Sequence, residues 1–154
     1  SSVTGVQTCA LPIYGPLMSR AQKVVIDEGM DWVRLVGRVP RADLPELYAT
    51  ADVFIQPTLA ESFGLAALEA RTAGLAIVGR AGSGLSEFVH DGLNGFLCAT
   101  DADMARAIAR LVAEPGLLHR FHEHNRTAPP VQTWDHALAM LDVAYAAARS
   151  RERP

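Results

Sequence analysis

An α/β fold built on a doubly wound, parallel sheet is the class this 154-residue sequence predicts. Two observations carry it. Short apolar runs of strand length alternate with longer helical runs, the arrangement that parallel βαβ units require. Glycine, proline or aspartate stands where the period changes, as turns and helix ends demand. The order of the runs fits the second half of a Rossmann-like sheet, so the predicted sheet is a partial one.

The elements follow in order along the chain. Residues 16–29 read as a helix, with Pro16 in the first turn and Gly29 at the end. Residues 31–37 read as a strand. Residues 41–50 form a short helix, with Asp43 as its cap and Pro45 in its first turn. Asp52-Val53-Phe54-Ile55-Gln56 is a buried strand, and residues 62–73 are a helix that Gly74 ends. Residues 75–79 form another apolar strand. Residues 81–84 are a turn, followed by a short helix to His90. Asp91-Gly92 is a turn before the last strand, 95–99. Residues 101–113 form a helix with an Asp cap, broken by Glu114-Pro115-Gly116 and resumed over 117–125. Thr127-Ala128-Pro129-Pro130 stops it. Residues 134–149 form the final helix, with Trp134, Leu138, Leu141 and Tyr145 on one stripe. Part of that stripe is expected to be exposed. The chain has no internal repeat and no low-complexity stretch.

Composition bounds the function. Apolar residues make up 49% and charged residues 20%, as in a soluble globular domain. The net charge of −3 supplies no basic field for nucleic acid or an anionic membrane. No apolar run is long enough to span a bilayer. Cys9 and Cys98 have no metal-ligand or CxxC spacing and suggest a reducing compartment.

The first 13 residues stand apart. They show no helical or strand period, carry no charge and end in Leu11-Pro12-Ile13. A signal peptide needs a basic start and a longer apolar stretch. The string resembles translated sequencing-adapter read-through. The expected organisation is therefore a non-native segment, 1–13, ahead of one incomplete domain, 14–154. An ordinary disordered terminus is the bland alternative.

The chemistry concentrates in Pro57-Thr58-Leu59-Ala60-Glu61-Ser62-Phe63-Gly64-Leu65-Ala66-Ala67-Leu68-Glu69-Ala70. Glu61 and Glu69 stand eight positions apart around a Ser-aromatic-Gly turn that opens a helix. A helix start offers free backbone N–H groups and the positive end of the macrodipole. Gly64 removes the side chain where a phosphate would approach. The two acids can grip hydroxyls beside that phosphate, which together describe a nucleotide sugar. The bland readings are a solvated helix glutamate for Glu69 and a dipole-favoured terminal acid for Glu61. On the helix, Ser62, Ala66, Glu69 and Ala73 share one face, while Leu65, Leu68 and Thr72 read as the core stripe.

E-S-F-G-L-x-x-L-E-A resembles the E-x7-E motif of retaining, nucleotide-sugar-dependent glycosyltransferases of the GT-B fold, the glycosyl transferases group 1 family. Val33-Arg34-Leu35-Val36-Gly37-Arg38-Val39-Pro40, Leu44-Pro45-Glu46-Leu47-Tyr48 and Ala51-Asp52-Val53 are similar to that family's approach to the motif. Thr72-Ala73-Gly74-Leu75, Gly84-Leu85-Ser86-Glu87 and Asp91-Gly92-Leu93-Asn94-Gly95 are similar to its exit. Coverage runs from about 14 to 145. Ala76 departs from the family's usual proline, without bearing on the chemistry.

The resemblance implies the C-terminal, donor-binding half of a GT-B fold, truncated at its N-terminus, with an acceptor domain and two central strands missing. It implies an upstream Arg and Lys that neutralise the diphosphate. By the same resemblance Glu61 is the catalytic residue facing the transferred sugar. Ser62, Phe63, Gly64 and Leu65 are donor-binding, the last three supplying backbone N–H groups to the diphosphate. Glu69 takes the ribose hydroxyls, and Arg38 and Val39 meet the base. Glu87 matches a frequent family glutamate but reads as a helix cap. The implied partners are a UDP- or GDP-linked sugar and a glycan, lipid or small-molecule acceptor. The implied place is the cytoplasm, with peripheral association at the inner membrane face open to the full-length protein. No cofactor is expected. His119, His122, Glu123 and His124 tempt a metal reading, but His124 points away from the face of the others, so a polar helix face is expected and metal is not. Two rival readings stand beside the transferase: a non-catalytic nucleotide-binding module, and a related enzyme of the same fold such as a sugar-nucleotide epimerase. The glutamate pair favours the transferase.

Overall fold

The computed structural model describes residues 9–11 and 15–151. Backbone contacts divide the chain into two units, Ser1–Leu47 and Tyr48–Pro154.

In the first unit, strand β1 (Cys9–Leu11) pairs in parallel with β2 (Val33–Leu35), Ala10 standing opposite Arg34. Helix α1 (Met18–Asp27) connects them. Its end is set by Gly29, which takes φ +61° while Met30 N–H returns to Val25 O and Gly29 N–H to Ile26 O. That is the paired-bond helix stop that glycine permits. The sequence reading gave residues 1–13 no strand. The structure corrects this at Cys9–Leu11, a run too short to display a period of two, which pairs with β2. The rest of the 1–13 segment lies outside the described residues.

A 3₁₀ turn, Arg41–Asp43, leads into helix α2 (Leu44–Ala49). In the second unit follow β3 (Val53–Gln56), α3 (Leu65–Thr72), β4 (Ala76–Arg80), a 3₁₀ turn (Gly84–Glu87) and β5 (Gly95–Cys98). Helices α4 (Asp101–Ala113), α5 (Pro115–Thr127) and α6 (Trp134–Arg151) complete it. The three strands pair in parallel in the order β3-β4-β5, Val53 opposite Ala76 and Ile77 opposite Gly95. This is the mixed α/β fold expected.

The middle strand β4 is buried at every residue. Strand β3 lies at one side of this sheet and is only half-buried, with Ile55 38% exposed, so the fully buried strand expected there is corrected. Side chains alternate across β4. Ala76 and Val78 join Cys98, Met104, Ala107, Leu111, Leu117 and Phe121 in the core against α4 and α5. Gly79, of opposite parity, lies under Leu85, close enough that a Cβ would collide with the leucine side chain.

Three local expectations change. Helix α3 begins at Leu65 rather than Ser62, because Gly64 sits at φ +89°, outside the right-handed helical region. Its buried face is Ala67, Ala70 and Arg71, not the Leu65–Leu68–Thr72 stripe; Leu65 is 66% exposed. The cap of α4 is Thr100, not an aspartate. Asp103 N–H donates to Thr100 Oγ1 at 3.1 Å, and Thr100 N–H donates back to Asp103 Oδ2 at 3.0 Å, a reciprocal capping box. The end of α3 is as expected: Gly74 at φ +94° lets Leu75 N–H reach Ala70 O at 3.1 Å. The apolar residues of α6 are exposed as expected, Trp134 by 84%.

Candidate functional site

The loop from Pro57 to Gly64 leaves the C-terminal end of β3 and enters α3. In parallel sheets ligands gather beyond strand C-termini. Three groups fix the loop backbone. Arg80, the last residue of β4 and only 7% exposed, donates from Nε to Pro57 O at 3.2 Å and from Nη1 to Ala99 O at 3.2 Å. Its Nη2 pairs with Asp101. One guanidinium thus ties the start of the loop to the β5–α4 connection, with its donors directed at fixed acceptors.

Gly84 is the second brace. Its N–H donates to Glu61 O at 3.0 Å. A Cβ on Gly84 would stand inside the Ser62 carbonyl and 2.6 Å from Phe63 Cα, so the approach admits no side chain. The third is apolar. Phe63 meets Phe88 edge-on at 5.7 Å, and Leu85 lies against the buried Gly64.

On this platform the Glu61 carboxylate turns back over its own loop. Oε1 accepts from Gly64 N–H at 3.0 Å and from Phe63 N–H at 3.3 Å. Oε2 accepts from Gln56 Nε2 at 3.2 Å, and the same nitrogen donates to Thr58 Oγ1 at 3.2 Å. Two of the backbone donors assigned to a diphosphate therefore converge on one anionic oxygen already. Ser62 and Leu65 are exposed.

Glu69 is half-buried, on α3. Tyr48 lies near it and donates from its hydroxyl to Ala66 O at 3.5 Å. Burial pushes the Tyr48 phenol above its ordinary range, and the Glu69 charge adds to the shift. Arg38 is exposed and Val39 half-buried; both belong to the first unit, just beyond Gly37. Glu87 is exposed and makes no capping bond, which corrects its expected role; its carbonyl accepts from Gln132 Nε2 at 3.0 Å. In the histidine run, His119 pairs with Glu123 at 3.6 Å and His122 Nε2 bonds Asp52 O at 2.8 Å. Among the described residues, no three His, Cys, Asp or Glu side chains gather as metal ligands.

Sequence reasoning missed Gln56, Arg80, Gly84 as a contact point, and the buried Arg71. The last donates from Nε to Asn125 Oδ1 at 3.2 Å and from Nη2 to Ala128 O at 3.1 Å, joining α3 to α5. An arginine ending an otherwise apolar strand was the available sign for Arg80. A polar cleft of about 310 Å³ lined by Tyr48, Asp52, Gly74, His122 and Arg126 lies at the opposite end of the strands from the Glu61 loop, before β3 and β4.

Comparison with known proteins places this geometry in context. The family model described as glycosyl transferases group 1 matches residues 8–128. A D-inositol 3-phosphate glycosyltransferase of Streptomyces bingchenggensis is 35% identical over 120 residues, 77% of this chain and 26% of that protein. The chain thus spans about a quarter of the length of the curated relatives it matches. Among solved structures, the sucrose-phosphate synthase of Thermosynechococcus elongatus superposes with a TM-score of 0.74 at 25% identity, over 87% of this chain and 35% of that one. Anabaena HepE, solved with UDP, superposes with a TM-score of 0.69 at 23% identity, over 85% of this chain and 36% of that one. No helix among the described residues is long and apolar enough to cross a membrane.

Proposed function

This chain belongs to the glycosyl transferases group 1 family, and from that premise we propose that it carries the donor side of an enzyme that moves a sugar from a nucleotide sugar to an acceptor hydroxyl, with retained anomeric configuration. One observation carries the reading. Phe63 and Gly64 N–H converge on a single carboxylate oxygen at the start of α3, so the loop is already shaped to hold an anion. The donor diphosphate takes those N–H groups, with Leu65 N–H and Ser62 beside them. Glu69 accepts from the ribose hydroxyls. Glu61, turned toward the sugar, binds its hydroxyls and favours positive charge at the anomeric carbon. The leaving phosphate assists the acceptor on the same face. Arg38 and Val39 meet the base. Backbone donors and the helix dipole serve the diphosphate, so the reading assigns no metal and no cofactor.

A solved structure of the same fold holds UDP, which makes UDP the first nucleotide to try. Relatives named for D-inositol 3-phosphate make a phosphorylated cyclitol the first acceptor to assay. The test is calorimetric. In the full-length enzyme, Glu69→Ala should weaken donor binding ten- to a hundredfold, the loss of charge-assisted hydrogen bonds of about 1.5–3 kcal/mol. Unchanged donor affinity removes Glu69 from the ribose.

A further inference from the structure

We propose that Gln56 is a positioning residue that locks the Glu61 carboxylate over the Phe63 and Gly64 amides, so that an internal anion fills the diphosphate position until donor displaces it. The competition with donor rests on the function proposed above; the lock itself rests on geometry alone. Gln56 ends β3 and is half-buried. Its Nε2 divides between Glu61 Oε2 and Thr58 Oγ1, both at 3.2 Å. The other carboxylate oxygen is held by the two amides at 3.0 and 3.3 Å. Each Glu61 oxygen thus answers to a different element, one to the strand end and one to the helix start. Turning the carboxylate toward a sugar breaks both sets at once. The Gln56 carboxamide is neutral, so it orients Glu61 without cancelling its charge. Because Glu61 O is also pinned by Gly84 N–H, the side chain can swing while the backbone stays.

The experiment uses the chain labelled with nitrogen-15 and the variant Gln56→Met, which keeps length and strand position but removes both donors. Glu61→Ala marks the fully released state. Without ligand, the Phe63 and Gly64 amide resonances of Gln56→Met should move toward their Glu61→Ala positions, while amides of β4 and β5 stay in place and report an intact fold. Amides that remain at wild-type positions in an intact fold overturn the lock. A Gln56→Met chain that loses the β4 and β5 signals as well overturns it too, since Gln56 then serves the fold. Pyrophosphate is the second probe. Gln56→Met should bind it roughly three- to tenfold more tightly than wild type at those two amides, the effect of one lost competing hydrogen bond. If the resonances move yet pyrophosphate perturbs neither amide in any variant, the lock stands and the diphosphate reading of the loop fails.

Discussion

At the residue scale the site is decided by what two glycines allow. Gly64 takes φ +89°, a region that side chains with a Cβ avoid, and its Cβ position lies 3.1 Å from Leu85 Cδ1. A β-branched replacement there strains the backbone as well as obstructing a phosphate, so it cannot separate binding from folding. Gly84 is the cleaner probe of the loop. A Cβ there meets the backbone of Ser62 and Phe63, which yields only if the whole loop shifts. Gly84→Ala should cost about 1–3 kcal/mol, the range for overpacking a fitted contact, and should displace Glu61 with the loop. Urea unfolding of wild type and variant measures the first effect, and an unchanged midpoint would contradict the close approach. The glutamate spacing was legible because it lies within one contiguous string. Arg80 and Gly84 were not, because their partners come from other turns, and Gln56 was not, although Thr58 and Glu61 lie within five residues of it, because an irregular loop has no period that encodes a side-chain bond.

At the element scale, helix ends were legible and helix faces less so. Gly29 and Gly74 stop their helices as the sequence implied, since a left-handed residue after the last turn is nearly a glycine signature. The face of α3 was misread because alanine gives little apolar contrast, and the larger leucine drew the stripe toward itself. Arg71 then took a buried place by finding Asn125 and Ala128 as acceptors, and burial lowers its pKa. The span of α4 was legible but its cap was not: Thr100, rather than an aspartate, holds the extended conformation a cap needs. Thr100→Ala should destabilise the chain by about 1 kcal/mol, within the usual range for a lost cap. The hydroxyl of Thr100 is also the leading cause that holds the exposed Asp103 carboxyl below its ordinary range. A depressed folded value stabilises above the unfolded pKa and ceases to do so as pH falls through the folded one. The gap between wild type and Thr100→Ala should therefore narrow in acid, below about pH 4. Thermal unfolding at pH 7 and pH 3 tests this; a gap that widens in acid is the opposite sign.

At the scale of the whole molecule, the alternation of periods was enough to give the class and the parallel order of β3, β4 and β5, because each βαβ step is local. The pairing of β1 with β2 was invisible, since three residues carry no pattern. The exposed face of α6, with Trp134, Leu138, Leu141 and Tyr145, was foreseen from its stripe. These features bear on what 154 residues can do alone. The chain spans about a quarter of its curated relatives. Beside the loop, Arg80 directs its donors to Pro57, Ala99 and Asp101, which leaves its charge engaged in holding structure. Two of the loop's amides are already taken by Glu61. A nucleotide diphosphate must therefore compete with an internal carboxylate, without a guanidinium freed to meet it from Arg80. We expect the isolated chain to bind UDP no more tightly than roughly millimolar, about −4 kcal/mol, and to transfer no sugar. Incubating the purified chain with UDP- and GDP-sugars and a panel of hydroxyl acceptors, phosphorylated cyclitols included, decides the point. Product above a Glu61→Ala control would show that the acceptor groups and the counter-charge for the diphosphate are both present within these residues, and would overturn the assignment of this chain to the donor side alone.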